Sequence, residues 1–413
     1  MYDLRLTAEQ LEFRDTVRDF VNQEVKPVVL HPERLQNPER RMSLELLDKA
    51  SQMGLRALTL SEEAGGAGAG ALTASIVLEE LGAGDVDVAM TIAETAQLAH
   101  LLFDRVATAA QRERFLPGFL DDDRCHLAVA GASHDSERGW NYHRPSEGSI
   151  PRAVEAVRVG DGAWTLNGIA RFVLNAPIAK LILVEARSAG GTSAFLIEAG
   201  TAGLTVRDHR DAPLDGTAPQ LQWYHGTRGE IVLERCKLSA GQLLGEEGRS
   251  PLAGEGGRAA PLPQAINLGI GRAAMEAAID YAGLRIQGAR RIIEHQAIGT
   301  ILADIAIQLE AARSLVWRAA FSAEHPEASA GLSDLPLQHV AKIFTSQAVH
   351  EATERAAECF GAMGVMKDMP LHRYVHDAVI FLHSVSGNSV AKFRVAEALA
   401  GYRREASPES VGA

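Results

Sequence analysis

The chain is poor in the residues that mark several common protein classes. Its 413 residues hold three cysteines, Cys125, Cys236 and Cys359, and no two form a C-x-x-C pair. That spacing excludes a disulfide framework and a structural zinc site, and it points to a reducing cytoplasm. No other metal-ligand pattern stands out, so no metal is expected. Aromatic residues are only 5%. No run of about 18 apolar residues occurs, so no membrane span is expected. Positive charge is also short: 41 Lys+Arg face 53 Asp+Glu, for a net charge of -12. Nucleic-acid binding rests on a basic footprint, so none is expected here. The start MYDLRLTAEQ lacks a basic-then-apolar leader, so no secretory signal is expected.

What is present favours helix first. Ala, Leu, Val and Ile dominate a hydrophobic fraction of 46%. Thr7 and Gln10 form a T-x-x-Q capping box, with Leu6 and Leu11 placed to staple the entry. Phe13, Val17, Phe20 and Val25 recur at helical spacing, and Pro27 is expected to end that helix. Further helices are expected over 46–53, 72–81, 89–103 and 107–120. The glycine-rich stretch 65–70 lacks both G-x-G-x-x-G spacing and a following Lys-Ser/Thr, so it reads as a flexible hinge and not as a phosphate loop. After Asp121-Asp122-Asp123 the texture changes. Short β-branched runs follow, separated by turns such as Gly160-Asp161-Gly162 and Asn167-Gly168, and they read as an antiparallel barrel or sandwich. Helical periodicity returns near Pro263, with a stripe of Leu302, Ile305, Leu309, Ala312 and Val316. The expected class is α+β: an N-terminal helical domain (1–122), a central antiparallel β-barrel-like domain (123–245) and a C-terminal four-helix bundle (246–413).

Seven motifs in order resemble the acyl-CoA dehydrogenase superfamily over nearly the full length. Residues 54–66 (GLRALTLSEEAGG) followed by Glu79-Glu80-Leu81 resemble that family's G-L-x-x-x-x-x-P-E-E-x-G-G and E-E-L. Trp164 to Gly168 resembles Y-x-L-N-G, and Phe172 to Ala176 (FVLNA) resembles W-I-T-N-A. Leu268-Gly269, Tyr281, Arg285 and Gln296 keep the spacing of the first long C-terminal helix. Leu302-Ala303-Asp304 resembles L-A-D-M, Glu358 to Gly364 resembles Q-x-x-G-G-x-G, and Pro370, Arg373 and Asp377-Ala378 resemble P-x-x-R-x-x-R-D-A.

The resemblance implies that fold, FAD as cofactor, and an acyl-CoA or acyl-carrier thioester as substrate. It also implies a tetramer in which a neighbouring subunit completes the site. By position, Arg285 would pair with the FAD pyrophosphate, which a guanidinium fork matches; the alternative is a helix-surface arginine. Gln296, Gly361, Ala362 and Gly364 would meet the diphosphate and adenine side, the alternative being ordinary helix-to-helix turn chemistry. Phe172 would lie along the flavin, and Gly387 and Asn388 would also contact the cofactor. Glu358 and Leu174 depart from the family. Glu358 replaces Gln and brings a carboxylate toward a diphosphate, and Leu174 replaces the Thr or Ser whose hydroxyl reaches flavin N5. Val129, Ser133 and Arg258 take substrate-side positions.

The catalytic base departs further. The family's usual Glu falls on Val385 or Ser386, and its second location falls on Ala259. The remaining candidates are Glu255, in a Gly-rich loop, and His383, since imidazole is a competent base near neutral pH. Ser133, His134 and Asp135 are adjacent in sequence and so read as a loop, not a triad. Four functions are therefore expected to compete: an atypical dehydrogenase, a catalytically silent partner subunit of a heterotetramer, another flavin reaction such as monooxygenation or a lyase step, and a non-enzymatic oligomer.

Overall fold

The computed structural model describes residues 5–36, 42–131, 154–160, 162–211, 224–252, 261–329, 335–384 and 387–400. Helices occupy Ala8–Phe20 (α1), Lys26–Val29 (α2), Pro32–Gln36 (α3), Leu44–Gln52 (α4), Ala71–Gly84 (α5), Val86–Ala99 (α6) and Ala109–Asp121 (α7). Strands follow at His126–Ala130 (β1), Val154–Val159 (β2), Ala163–Leu174 (β3), Ala179–Ser188 (β4), Gly191–Glu198 (β5), Leu204–Asp208 (β6), Arg228–Leu238 (β7) and Leu243–Leu244 (β8). The C-terminal part holds Leu262–Leu284 (α8), a hairpin of Ile286–Gln287 (β9) and Arg290–Arg291 (β10), then Gln296–Glu324 (α9), Pro326–Ser329 (α10), Leu337–Phe360 (α11), Leu371–His383 (α12) and Gly387–Ala400 (α13). These elements gather into two units. One holds the described residues up to 46, 70–90 and those from 261 onward; the other holds 47–69 and 91–252.

In the helical unit, α1 starts where its capping box predicts: Thr7 and Gln10 exchange both side-chain-to-backbone bonds. Pro27 does not end the helical run. A single π-type turn, Val21–Val25, lies between α1 and α2, and Lys26 N–H reaches back to Val21 O. Pro27 thus falls in the first turn of a new segment, where its missing N–H costs nothing. Helices α8, α9, α11 and α12 pack on one another. Ile305, Leu309, Ala312 and Val316 of the α9 stripe are buried as expected. Helices α5 and α8 touch backbone to backbone: a Cβ on Gly82 would lie 2.5 Å from Ile266 O, and one on Gly269 would lie 2.2 Å from Glu79 O. Only glycine permits that approach.

Buried ion pairs join the helices of this unit. Glu79 is paired with Arg313 (2.8 Å) and Arg272 (3.4 Å), and Glu80 with Arg272 (2.6 Å) and Arg18 (2.7 Å). The E-E-L motif is thus a set of inter-helix ion pairs. Arg373, 4% exposed, lies between Asp85 (3.3 Å) and Asp377 (3.4 Å) and donates to Val29 O.

The β unit carries one sheet in the order β6-β7-β3-β2-β4-β5-β8, with β1 added to β4. The expected antiparallel barrel is corrected on two points. The β1–β4 and β2–β4 pairs are parallel, so the sheet is mixed. Among the described strands β6 and β8 are ends of the order, so no barrel closes. The turns that mark the strands specify only sequential hairpins such as β2–β3 and β4–β5. Pairing of β4 with β1 and β2 is non-local and leaves no turn signal. Both faces of β4 are covered. Ile182 and Val184 join one core with Trp164 and Phe195, while Leu181 and Leu183 join another with Phe103, Phe115 and Phe119. That accounts for its continuous apolar run. The 65–70 stretch is not the expected free hinge: Gly66, Ala67, Gly68 and Ala69 donate their N–H groups to Ser61, Ala57, Leu60 and Leu58 carbonyls. Those donors are consumed within the loop's own neighbourhood and cannot cradle a phosphate.

Candidate active site

Each unit carries some of the residues the sequence singles out. In the β unit the centre is the FVLNA motif. The pairing of β3 with β7 shifts register between Ala170 and Val173. Such a shift re-aims a side chain, and Phe172 ends with φ 58 and 42% exposure. Left-handed backbone at a bulky residue costs about 1–3 kcal/mol and persists only when neighbours hold it. They do so at both ends of the residue. Phe172 N–H donates to His209 Nε2 at 3.2 Å, and Arg228 Nη1 donates to Phe172 O at 3.1 Å. The Phe172 and His209 rings stack at 4.9 Å. Leu174, two residues on, is half-buried and offers no hydroxyl.

Asn175, also at positive φ, anchors the motif from below. Its Nδ2 donates to Thr91 O, Thr95 Oγ1 and Leu127 O. His126 Nδ1 meets the same Thr95 hydroxyl at 3.2 Å, and burial pushes the His126 imidazole down to about 4. Val129 lies on β1 and is partly buried, paired with Leu183.

In the helical unit Arg285 caps the C-terminal end of α8, donating its N–H to Tyr281 O. Its side chain is exposed and has no carboxylate partner among the described residues. The β9–β10 hairpin returns the chain so that Ile292 N–H meets Arg285 O at 2.8 Å, and Gln296 opens α9, also exposed. Tyr281 stacks on Phe360 at 4.1 Å, which brings the end of α11 to the same end of α8. There the chain turns through Gly361 (φ 57) into a 3-10 turn, Gly361–Val365. Gly361 and Ala362 are exposed, whereas Gly364 packs on α11, where a Cβ would meet Ala357 O at 2.5 Å. Glu358 is exposed, with Arg355 3.9 Å away. The structure thus brings Arg285, Gln296, Glu358 and the 361–364 turn to one end of the unit.

His383, Gly387 and Asn388 form a separate corner between α12 and α13. His383 is exposed in the last turn of α12. Asn388 is held by Ser346, which takes its Nδ2 at 2.8 Å, and by Lys342, which donates to its Oδ1 at 3.3 Å. Lys342 is 5% exposed, and burial brings its ammonium down to about 8. Glu255, Arg258, Ala259, Ser133, Val385 and Ser386 lie outside the described residues. Three participants escaped the sequence reading, His209, Arg228 and Lys342. None has a motif or a spacing that could have revealed it, because each acts on residues at least 37 positions away.

Three domain models of one family match: Acyl-CoA dehydrogenase N-terminal domain at residues 7–123, middle domain at 144–222 and C-terminal domain at 260–383. The chain is 29% identical over 392 residues to the short-chain specific acyl-CoA dehydrogenase of Megasphaera elsdenii, covering 92% of this chain and 94% of that one. The solved structure of butyryl-CoA dehydrogenase from Megasphaera elsdenii matches with TM-score 0.79 and 26% identity, over 97% of this chain and 100% of the other. An FAD complex of PigA shares the fold, with TM-score 0.79 and 21% identity over 97% of this chain and 99% of that one. The chain belongs to the acyl-CoA dehydrogenase family.

Proposed function

We propose that the chain is an FAD-dependent acyl-CoA dehydrogenase that takes the α-proton and β-hydride from an acyl thioester. The observation that carries this reading is the Phe172 platform: an exposed aromatic ring in strained backbone, clamped at both its N–H and its C=O, at the position where the family places its flavin neighbour. FAD supplies the hydride acceptor of such a reaction.

The residues present fit that cofactor at two places. The exposed Arg285 guanidinium, without an acidic partner among the described residues, suits a diphosphate, with Gln296 beside it. Phe172 offers an aromatic face to a flavin ring. Gly361, Ala362 and Gly364 take the diphosphate and adenine side, where the exposed Glu358 carboxylate lowers affinity by repelling the diphosphate. Gly387 and Asn388 contact the cofactor through backbone, since the Asn388 amide is already occupied. Leu174 makes only apolar contact and contributes no hydrogen bond. Val129, Ser133 and Arg258 are assigned to the thioester by motif position. His383 is the candidate base among the described residues, and Glu255 is the other. Each would remove the α-proton. The assembly is a tetramer, and the substrate is either an acyl-CoA or a thioester on a carrier protein.

The missing hydroxyl at Leu174 and the non-acidic Val385 and Ser386 favour a second reading, a silent subunit paired with a catalytic homologue. One experiment separates the two. The chain is purified alone, its flavin absorbance is recorded, and a panel of acyl-CoAs is added anaerobically. Dehydrogenation requires a yellow protein that bleaches, with bleaching slowed at least tenfold in Glu255→Gln or His383→Gln. A lone chain that is colourless, or yellow and never bleached, refutes the first reading; colour restored by a co-expressed homologue establishes the second.

A further inference from the structure

The Phe172 platform depends on a side chain that no family motif accounts for. The register slip between Ala170 and Val173 takes Phe172 out of the β3–β7 ladder, so its N–H must find another acceptor. It finds His209 Nε2, on the 3-10 turn His209–Asp211 that follows β6. The His209 residue is 7% exposed, and its ring lies nearly parallel to that of Phe172, at 25°. A backbone N–H can only donate. Nε2 must therefore keep its lone pair, and the imidazole proton must sit on Nδ1.

We propose that His209 is a positioning residue for the flavin ring, holding the Phe172 amide and ring in their left-handed pose only as a neutral imidazole protonated at Nδ1. A proton on Nε2 turns acceptor into donor and opens the clamp. The inference rests on the reading of Phe172 as the flavin's neighbour.

The surroundings favour the neutral form. Burial lowers the His209 affinity for a proton; Glu230 on β7 and Asp208 on β6 oppose that shift, and Arg228 on β7 reinforces it. Both carboxylates are already engaged. Glu230 is paired with Arg171 of β3 (3.0 Å) and Arg207 of β6 (3.1 Å), and Asp208 accepts the Arg210 N–H (2.9 Å). The Arg210 side chain turns to Tyr224 Oη at 3.1 Å. Arg228 keeps its hold on Phe172 O whatever the state of the imidazole. Protonation therefore removes one of two clamps, and a graded loss of cofactor affinity is expected, not an abrupt one.

The test uses the full chain with 15N-labelled histidine, with and without FAD. The expected result is an Nδ1–H imidazole for His209 in the cofactor-free chain at neutral pH. Affinity for FAD, read by flavin fluorescence, should weaken about tenfold as His209 takes up its proton, which matches one hydrogen bond. His209→Gln keeps an acceptor that cannot titrate, so this dependence should vanish. His209→Leu should bind FAD about tenfold more weakly at every pH, with melting temperatures checking that both variants fold. An Nε2–H imidazole in a chain that binds FAD, or His209→Gln keeping the full pH dependence, overturns the role of His209 alone. A chain with the Nδ1–H form that takes up no FAD at any pH overturns the flavin reading, and the positioning role falls with it.

Discussion

The interiors of the two units solve the same problem by different chemistry. In the helical unit the buried polar contacts that join helices at Arg373 and at the Glu79-Glu80 pair are full charges: Arg373 with Asp85 and Asp377, and Glu79 and Glu80 with Arg272, Arg313 and Arg18. In the β unit the polar groups packed around Asn175 of the FVLNA motif are neutral: Thr91, Thr95 and His126. Long side chains from facing helices can meet across an interface while each helix satisfies its own backbone. At the end of β3 the backbone itself is irregular, and the Asn175 amide there reaches out to the carbonyls of Thr91 and Leu127. Neutral groups are inexpensive to bury when bonded, whereas a charge is tolerable only while its partner stays. The two units should therefore fail in different ways.

The largest difference is expected at Arg373. Arg373→Met leaves Asp85 and Asp377 buried without their central cation, and should cost about 3–5 kcal/mol in urea unfolding. A loss below about 1 kcal/mol would break the comparison, because the ionic interior would then behave like a surface one. Acid should strike the β unit next. His126 has its folded-state value lowered from 6.5 to about 4 by burial. The unfolded chain therefore binds the proton first. The stability this group confers is complete above pH 6.5 and is lost as pH falls toward 4, up to about 3 kcal/mol. Melting temperatures across that range should fall more steeply in the wild type than in His126→Gln. Asn175→Ala removes the donor to three acceptors and places alanine at φ 63. It should cost about 1–3 kcal/mol by the same assay. The smallest effect belongs to Arg114→Ala, which breaks the pair with Glu198 at 2.6 Å between side chains 51% and 47% exposed. Its expected cost is below about 1 kcal/mol, and it calibrates the difference between exposed and buried charge.

Much of the helical architecture was legible because its signals are local. The Thr7–Gln10 box, the α9 stripe and Gly269 each depend on neighbours within one helix or on a missing Cβ. Pro27 misled because a single π-type turn moved it into an open register, which no propensity records. The mixed sheet was illegible because β4 pairs with β1 and β2, strands that no short turn joins to it. Motif order placed Phe172, Arg285 and Gln296 as candidates. What holds Phe172 was hidden, because His209 arrives from the turn after β6 and Arg228 from β7, and both bond its backbone, which no side-chain pattern records. The family's Glu79-Glu80 pair was visible as letters, while its ion pairs with α1, α8 and α9 needed the fold.

The glycine contact between α5 and α8 has a mechanical consequence. From Gly269 to Arg285 the helix runs 16 residues, a lever of about 24 Å. A tilt of about 5° at the fulcrum would swing the guanidinium by about 2 Å, enough to lose a hydrogen bond. Two absent methyl groups, at positions 82 and 269, thus set the aim of a charge several helical turns away. Alanine at either position would be felt at the far tip of the lever before it was felt in the melting curve.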